Sequence, residues 1–386
     1  MNCQDPKILD RLERLLVSYI YKEYLGQTWR GENIPKHLFR SFAASARRLS
    51  DSFTEKRKDF RGHYLRTKES RSGYLLYFHL ASMVRTIAVL EEIRRRGAWP
   101  AGPLRILDVG AGSAPSLWAA AFAASCWGNE IESVTAIDYE RRILSDANKL
   151  WRALSDDTKW KLPPLRTQVV DVRRRTDSSR DTSSTHLVFC SNVLNEVAGE
   201  ATGLGVLFRN RLDPDGLMVV VEPALRTTSR ALQAFRDRFV ERTECSIPFP
   251  CGHEKPCPLN LEPKDWCHFE TSWSPPPVRR RLEKSLGHQT GSLKYSYLVL
   301  RQPAAHPFQN GYRVLSDPLS TPQGNRLLLC TPGGKVALGF GKLLPTFRRG
   351  DLLATETPLP ESLFQQRKVR YAYEFTLPAG SHVDRI

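Results

Sequence analysis

Long apolar runs are missing from this sequence. No stretch approaches the roughly 20 apolar residues that a membrane-spanning helix needs, and the most apolar run, SLWAAAFAASCW, is only long enough for a buried helix. The first residues also lack an apolar block and carry Asp5, Asp10 and Glu13, which argues against a signal peptide and against a good presequence. We therefore expect no membrane partner and a reducing compartment. The acidic start favours a bacterial cytoplasm, with the mitochondrial matrix, after removal of a presequence, as the alternative.

Acidic residues are scarce relative to basic ones. The 386 residues include 57 Lys and Arg but only 41 Asp and Glu, a net charge of +16. Any single arginine run could be a solvated helix end, but an excess spread over the whole chain favours a nucleic-acid partner. An anionic membrane surface is the weaker alternative, because no segment is both strongly amphipathic and basic. The runs are Arg94–Arg96, Arg141–Arg142, Arg173–Arg175, Arg279–Arg281 and Arg348–Arg349.

The hydrophobic pattern changes twice along the chain. Residues 1–100 have apolar positions at helical spacing and predict an N-terminal helical domain. Residues 101–302 alternate strand and helix patterns, which predicts a Rossmann-like α/β core with a parallel sheet and a cysteine-rich insertion at 245–270. Residues 303–386 contain short strand patterns separated by Pro and Gly, which predict a small C-terminal β-barrel.

A glycine loop follows the first strand pattern of the core, in ILDVGAGSAPS. Gly110 and Gly112 would let the backbone turn tightly beside a ligand at a helix N-terminus. Asp138 ends the next strand, where a carboxylate can accept ribose hydroxyls. A nicotinamide fold would have a third glycine where this chain has Pro115, so an S-adenosylmethionine (SAM) site is preferred over a dehydrogenase site.

The pattern Asp108-x-Gly110-x-Gly112 resembles motif I of class I SAM-dependent methyltransferases. The resemblance implies that Asp108 helps to hold the amino-acid end of SAM and that Asp171, after the third strand, contacts the adenine. The chain departs from that family at Ala114, where many members have glycine. Alanine there would cost little if its φ angle is negative.

No catalytic residue can be identified from the sequence. The segment SNVLNEV follows the fourth strand, where some amino-group methyltransferases carry an Asn-Pro-Pro-aromatic motif. Asn192, Asn195 and Glu196 occupy this region without matching the motif, and capping of the next helix is an equally good interpretation. Cys190 ends an apolar strand and is interpreted as a packed core thiol.

Cysteines are concentrated in one segment. Cys245, Cys251, Cys257 and Cys267 fall within 23 residues, separated by five, five and nine residues. Structural zinc sites usually contain pairs separated by two to four residues, so the spacing favours an iron–sulfur cluster, whose thiolates lie farther apart. Zinc remains the alternative metal. A disulfide or unrelated loop thiols are less expected in a reducing compartment.

The same segment carries a specific family resemblance. PFPCGHEKPCPL and DWCHF, together with the glycine loop, KYSYLVLRQ and LLLCTPGG, resemble the methyltransferase-like assembly factors of the mitochondrial small ribosomal subunit and their bacterial homologues. The resemblance implies a [4Fe-4S] cluster on four cysteines, with Cys245 as a spare ligand and His253 and His268 packed beside the site. The implied ligands are Cys251, Cys257, Cys267 and Cys330.

Two functions therefore remain open. In the first, the protein is a non-catalytic assembly factor that binds ribosomal RNA and proteins of the small subunit and is a monomer when it is off the ribosome. In the second, it is an active SAM-dependent rRNA methyltransferase with a structural zinc or iron–sulfur site. The missing catalytic motif and the Ala114 departure favour the first.

Overall fold

A computed structural model of the chain describes residues 5–54, 64–172, 184–194, 211–241, 245–288, 291–303, 311–355, 358–366, 368, 372–376 and 383–385. The chain divides into two compact units. The first contains Met1–Asp213 and Thr271–Leu293, and the second contains Pro214–Glu270 and Lys294–Ile386. The domain boundaries predicted at residues 100 and 302 do not coincide with this division and stay predictions.

The first unit begins with helices, as the pattern of residues 1–100 predicts. α1 starts at Pro6, which suits the first turn because it has no N–H to satisfy, and Asp5 caps it by accepting the N–H of Lys7 at 2.9 Å. Two five-residue π-helical turns, Tyr21–Leu25 and Leu75–His79, follow α1 and α3. The α-helices are α1 (Pro6–Ile20), α2 (Lys36–Thr54), α3 (Lys68–Tyr74) and α4 (Leu80–Arg95).

One helical stretch has the length and composition of a membrane span, contrary to the expectation from the sequence. It runs over Lys68–Arg95, 28 residues with a mean hydropathy of 1.3 in its most apolar window. Scattered polar residues hide it from a search for unbroken apolar runs. Because 78% of that window is buried inside the protein, core packing accounts for its apolar character.

A parallel sheet forms the rest of the first unit. Its strand order is β3-β2-β1-β4, and the register places Asp108 beside Ala136 on one side and Phe189 on the other. This order, with helices between the strands, is the predicted mixed α/β Rossmann-like arrangement. The elements are β1 (Leu104–Val109), α5 (Pro115–Trp127), β2 (Ile131–Asp138), α6 (Arg141–Thr158), β3 (Leu165–Val169) and β4 (Thr185–Ser191). Helix α8 (Pro277–Leu286) also belongs to this unit, whereas α7 (Arg226–Glu241) belongs to the second unit.

The second unit contains two groups of strands. In the first group, β8 pairs antiparallel with β5 and β6, and β7 lies beside β8. A loop of residues 250–268, the cysteine loop, connects β6 to β7. The elements are β5 (Leu212–Pro223), α7 (Arg226–Glu241), β6 (Ser246–Phe249), β7 (Phe269–Ser272) and β8 (Ser292–Arg301).

The C-terminal strands of the second unit form a separate sheet. Its order is β14-β12-β11-β9-β13-β15, with β10 beside β11. Its core is built from alternating residues such as Leu327 and Leu329 of β11, both fully buried. Closure of this sheet into a barrel stays a prediction. The strands are β9 (Tyr312–Val314), β10 (Leu319–Thr321), β11 (Gly324–Thr331), β12 (Gly334–Gly339), β13 (Leu352–Thr355), β14 (Tyr373–Thr376) and β15 (Val383–Arg385).

Candidate functional site

The glycine loop lies between β1 and α5, at the carboxyl end of the parallel sheet. Gly110 and Gly112 have φ angles of 66° and 54°, in the left-handed region that favours glycine. A Cβ on Gly110 would lie 2.3 Å from Cγ2 of Val193, and one on Gly112 would lie 2.8 Å from the hydroxyl of Tyr74. Both positions therefore require glycine for two reasons, backbone conformation and space.

Ala114 has a φ angle of 62°, so the condition under which alanine would cost little at this position, a negative φ, is not met. The following proline disfavours the right-handed helical conformation for this residue. The N–H of Ala114 donates to the carbonyl of Ala111 at 2.7 Å, and its own carbonyl accepts the N–H of Trp118 at 3.2 Å. The turn thus holds a non-glycine residue in a left-handed conformation, at a cost of roughly 1–2 kcal/mol.

Asp138 binds the loop through its side chain. One carboxylate oxygen accepts the N–H of Gly112 at 2.9 Å, and the other accepts the N–H of Glu140 at 2.9 Å. Burial raises the pKa of Asp138, and the backbone N–H groups act in the opposite direction. The side chain predicted to bind a ribose therefore also fixes the shape of the glycine loop.

Asp108 lies beneath the loop. It is 1% exposed, and its Oδ2 atom has no hydrogen-bond partner among the residues that the structure describes. Burial, followed by the charge of Asp138, raises the pKa of Asp108 well above its ordinary value. An isolated buried carboxyl oxygen of this kind is costly, and a bound ligand or water is one way to satisfy it.

A cavity that is open to solvent lies above the glycine loop. Four of the five predicted cofactor residues line it: Gly110, Gly112, Asp138 and Asp171. Asp108 does not belong to the lining. These side chains come from the ends of different strands, as expected for the carboxyl edge of a parallel sheet.

The cavity has further walls that the sequence does not reveal. Tyr64, Leu65 and Tyr74 from the N-terminal helical region line it, as does Asn192. Asn192 is in the left-handed region, with φ 61°, which asparagine tolerates better than most residues. Asn195 and Glu196 lie outside the described residues.

The second site is a cavity in the second unit that is open to solvent. All four predicted metal ligands line it: Cys251, Cys257, Cys267 and Cys330. Three come from the cysteine loop and the fourth from β11. Cys245 is not part of the lining, although it is buried. All four lining cysteines are free thiols.

The four thiols influence one another electrostatically. Burial, with a second contribution from Cys251, raises the pKa of Cys257 to about 12. Burial also raises the pKa of Cys267 and of Cys330, and in both cases the neighbouring cysteines act in the same direction. Cys257, Cys267 and Cys330 are therefore stable in their protonated form unless a cation or metal centre compensates the charge of the thiolate.

Two buried arginines line the same cavity. Arg236 is 2% exposed and donates from Nε to the sulfur of Cys251 at 3.2 Å. Arg313, also 2% exposed, donates to the carbonyls of Pro250 and Gly350. Neither arginine could be identified from the sequence, because an arginine outside the cysteine loop carries no local sign of such a role.

The two histidines of the segment are in different positions. His253 donates from Nδ1 to the carbonyl of Lys255 at 3.2 Å, and its Nε2 lies 3.7 Å from the sulfur of Cys330. Burial and the charge of Arg236 lower the pKa of His253 to about 4. His268 stacks on Trp266 and does not line the cavity.

The described residues do not show a formed metal site. Among them, no group of three or more His, Cys, Asp or Glu side chains is arranged to hold a metal ion. Both metal binding at the four thiols and the identity of the metal, a [4Fe-4S] cluster or zinc, therefore stay predictions.

The arginine runs are not all on the surface. Arg279 is 6% exposed, donates from Nε to Glu283 at 2.8 Å and donates to the carbonyl of Tyr77. It therefore supports the core of the first unit and does not face a polyanion. Arg173–Arg175 lie outside the described residues.

Comparison with solved structures gives matches to methyltransferases. Magnesium protoporphyrin IX methyltransferase of Synechocystis PCC 6803 with bound SAM is 11% identical over 67% of this chain and 97% of that chain, with a TM-score of 0.35. The ribosomal protein L11 methylase of Lactobacillus delbrueckii subsp. bulgaricus is 12% identical over 57% of this chain and 79% of that chain, with a TM-score of 0.31. Similarity this low carries no conclusion about substrate or partner.

No curated protein sequence matches the chain. Residues 69–351, however, match the family described as mitochondrial small ribosomal subunit Rsm22. The match spans the glycine loop, the cysteine loop and β11, which carry Gly110, Gly112 and the four predicted metal ligands. This confirms the resemblance predicted from the sequence, and the family description favours the mitochondrial alternative over a bacterial cytoplasm. The chain belongs to the Rsm22 family of the mitochondrial small ribosomal subunit.

Proposed function

We propose that this protein is an assembly factor of the small ribosomal subunit that binds rRNA and carries a [4Fe-4S] cluster on Cys251, Cys257, Cys267 and Cys330. The observation that carries the proposal is the convergence of these four thiols on one cavity. Three are close in sequence, but Cys330 is 63 positions after Cys267. A structural role for one loop would not by itself require a distant fourth thiol.

The donor set fits a polynuclear cluster better than a zinc ion. Structural zinc sites usually contain cysteine pairs separated by two to four residues, whereas Cys251, Cys257 and Cys267 are separated by five and nine residues. In an iron–sulfur core, each thiolate binds a different iron, so the sulfurs stand farther apart. The cluster would contribute to folding, because it joins the cysteine loop to β11.

The cavity above the glycine loop supports SAM as a second ligand. Its lining combines the two required glycines with Asp138 at the end of β2. Beneath the loop, the buried Asp108 carboxyl has an oxygen without a described partner. Asp138 and Asp171 would bind the ribose and the adenine. SAM supplies a methyl group when it is used in catalysis, so an active rRNA methyltransferase is the second candidate function.

Ribosomal RNA is the partner that the charge favours. A net charge of +16 attracts phosphates, and binding would release their counterions. We further propose a location in the mitochondrial matrix, in line with the family description, with a bacterial cytoplasm as the alternative. We expect a monomer when the protein is away from the ribosome.

Anaerobic purification tests the metal proposal. The wild-type protein should be brown, with broad absorbance near 400 nm typical of iron–sulfur clusters and about four irons and four sulfides per chain. Cys330→Ser should lose most of the iron, whereas the matched control Cys245→Ser, which alters a thiol outside the cavity, should keep it. Colourless wild-type protein with one zinc per chain would overturn the cluster.

A second experiment separates assembly from methylation. Asp138→Ala should weaken SAM binding, because it removes a cavity carboxylate and releases the N–H groups of Gly112 and Glu140. Cells carrying this variant are assayed for small-subunit maturation and for rRNA methyl groups. Impaired maturation with every methyl group present supports the assembly factor. Loss of one specific methyl group supports the enzyme instead.

A further inference from the structure

Arg236 stands out among the residues around the thiols. It lies on α7, outside the cysteine loop, and its side chain is 2% exposed. Long basic side chains are rarely buried this deeply unless each N–H group has a partner. All of its partners in the described structure belong to the site or to the next residue on the helix.

The three nitrogens of Arg236 have different partners. One terminal nitrogen donates to the carbonyl of His253 at 2.6 Å, and the other donates to the carbonyl of Lys255 at 2.9 Å and to Asp237 at 2.6 Å. The Nε atom donates to the sulfur of Cys251 at 3.2 Å. The planar guanidinium is thereby fixed, with its Nε–H directed at a thiol.

Asp237 extends this arrangement to a second cysteine. Its two oxygens accept the N–H of Cys257 at 3.0 and 3.2 Å. The adjacent pair Arg236–Asp237 therefore holds the sulfur of one predicted ligand and the backbone of another. Such a pair, on a regular helix, is a rigid support for a loop that has little secondary structure of its own.

We infer that Arg236 is a positioning residue that donates an N–H···S hydrogen bond to the Cys251 ligand and thereby raises the reduction potential of the cluster. The inference rests on the proposed cluster. An added electron increases the negative charge on the ligand sulfurs, so a hydrogen bond from a cation stabilises the reduced form more than the oxidised form. Burial strengthens the effect, because little solvent screens the charge.

Arg230 on the same helix provides a matched control. Its guanidinium donates to the carbonyls of Leu259, Asn260, Glu262 and Asp265, all in the cysteine loop, at 2.9–3.3 Å. None of its described hydrogen bonds reaches a thiol. Replacing Arg230 therefore removes an anchor of the loop without removing a donor to sulfur.

Redox titration of the reconstituted full-length protein tests the inference, with dithionite as electron donor and the reduced cluster measured by electron paramagnetic resonance. Arg236→Gln should lower the midpoint potential, with about a tenfold change in the reduced-to-oxidised ratio at fixed potential, equivalent to about 59 mV for one electron. Arg230→Gln should leave the potential at the wild-type value. Equal potentials in Arg236→Gln and wild type would overturn the inference while leaving the cluster in place.

Failure of the cluster proposal itself has a different result. Wild-type protein that takes up no iron removes the proposed function and this inference together. If Arg236→Gln does not retain the cluster, protein containing ¹⁵N-labelled arginine side chains decides. Arg313 is the other arginine that lines the cavity, so Arg313→Lys removes it as a source of ¹⁵N coupling. A ¹⁵N hyperfine coupling to the reduced cluster that persists in Arg313→Lys supports the hydrogen bond from Arg236. Absence of any such coupling in the wild type refutes that hydrogen bond.

Discussion

Replacing Gly110 by alanine tests the geometry of the glycine loop. The φ angle of 66° should cost about 1–2 kcal/mol for any residue with a Cβ. In addition, that Cβ would lie 2.3 Å from Cγ2 of Val193, so Val193 or the loop must move. Overpacking of this kind costs about 1–3 kcal/mol. Gly110→Ala should therefore lower the free energy of unfolding by about 2–5 kcal/mol.

Gly128 separates the two contributions. It ends α5 with a φ angle of 79°, and a Cβ there would meet nothing within 4 Å. Gly128→Ala should thus show the backbone cost alone. In the double variant Gly110→Ala/Val193→Ala, the steric part should be recovered, measured as a coupling free energy in a double-mutant cycle.

Urea unfolding followed by circular dichroism measures the wild type, Gly110→Ala, Val193→Ala, the double variant and Gly128→Ala. SAM binding, measured by calorimetry on the folded fraction, should weaken in Gly110→Ala and not in Gly128→Ala, because only Gly110 lines the cavity. If Gly110→Ala and Gly128→Ala were equally destabilised, the close contact between the loop and Val193 would be refuted.

Three further predictions concern buried groups of the first unit. Burial lowers the pKa of His79 from 6.5 to about 3, so the unfolded chain binds a proton first and stability should fall as pH drops from 6.5 toward 3. Denaturant titrations should show that the free energy of unfolding falls by about 1.4 kcal/mol per pH unit relative to His79→Gln. A difference between the two proteins that stays constant with pH would contradict this. Asp146 accepts from Tyr19 at 2.7 Å and pairs with Arg71 at 2.6 Å. Asp146→Ala should lower the free energy of unfolding by about 3–5 kcal/mol in the same assay, whereas Tyr19→Phe should lower it by about 1 kcal/mol. Similar losses in the two variants would contradict a buried ion pair. Ala114→Val should lower the melting temperature more than Ala114→Ser, because a β-branched residue resists φ 62°, and equal values would argue against the left-handed turn.

Local patterns predicted most of the fold. The run LRILDV became β1 and SVTAID falls within β2, since short apolar runs flanked by turn residues have few alternatives. The short strand patterns predicted in residues 303–386 likewise became strands, among them β9, β11, β12 and β13. The grouping of these elements into compact units was not predictable in the same way, because it depends on contacts between residues far apart in sequence.

The sites were predictable only in part. The glycines, Asp138 and the four cysteines carry recognisable chemistry in recognisable spacing, and each group lines one cavity. The left-handed Ala114 was missed, because alanine seldom adopts this conformation and only the local turn imposes it. Arg236 was missed for another reason: α7 precedes the cysteine loop, and arginine on a helix usually faces solvent.

The two cavities share no lining residue, and each is built within one compact unit. Asp138→Ala and Cys330→Ser therefore perturb separate sites, and their effects on subunit maturation can be compared directly. If Cys330→Ser blocks maturation and Asp138→Ala does not, maturation requires the four thiols, and the cavity above the glycine loop is dispensable for it. The reverse result would mean that maturation requires the cavity above the glycine loop and not the four thiols. Equal defects in both variants would mean that maturation requires both cavities.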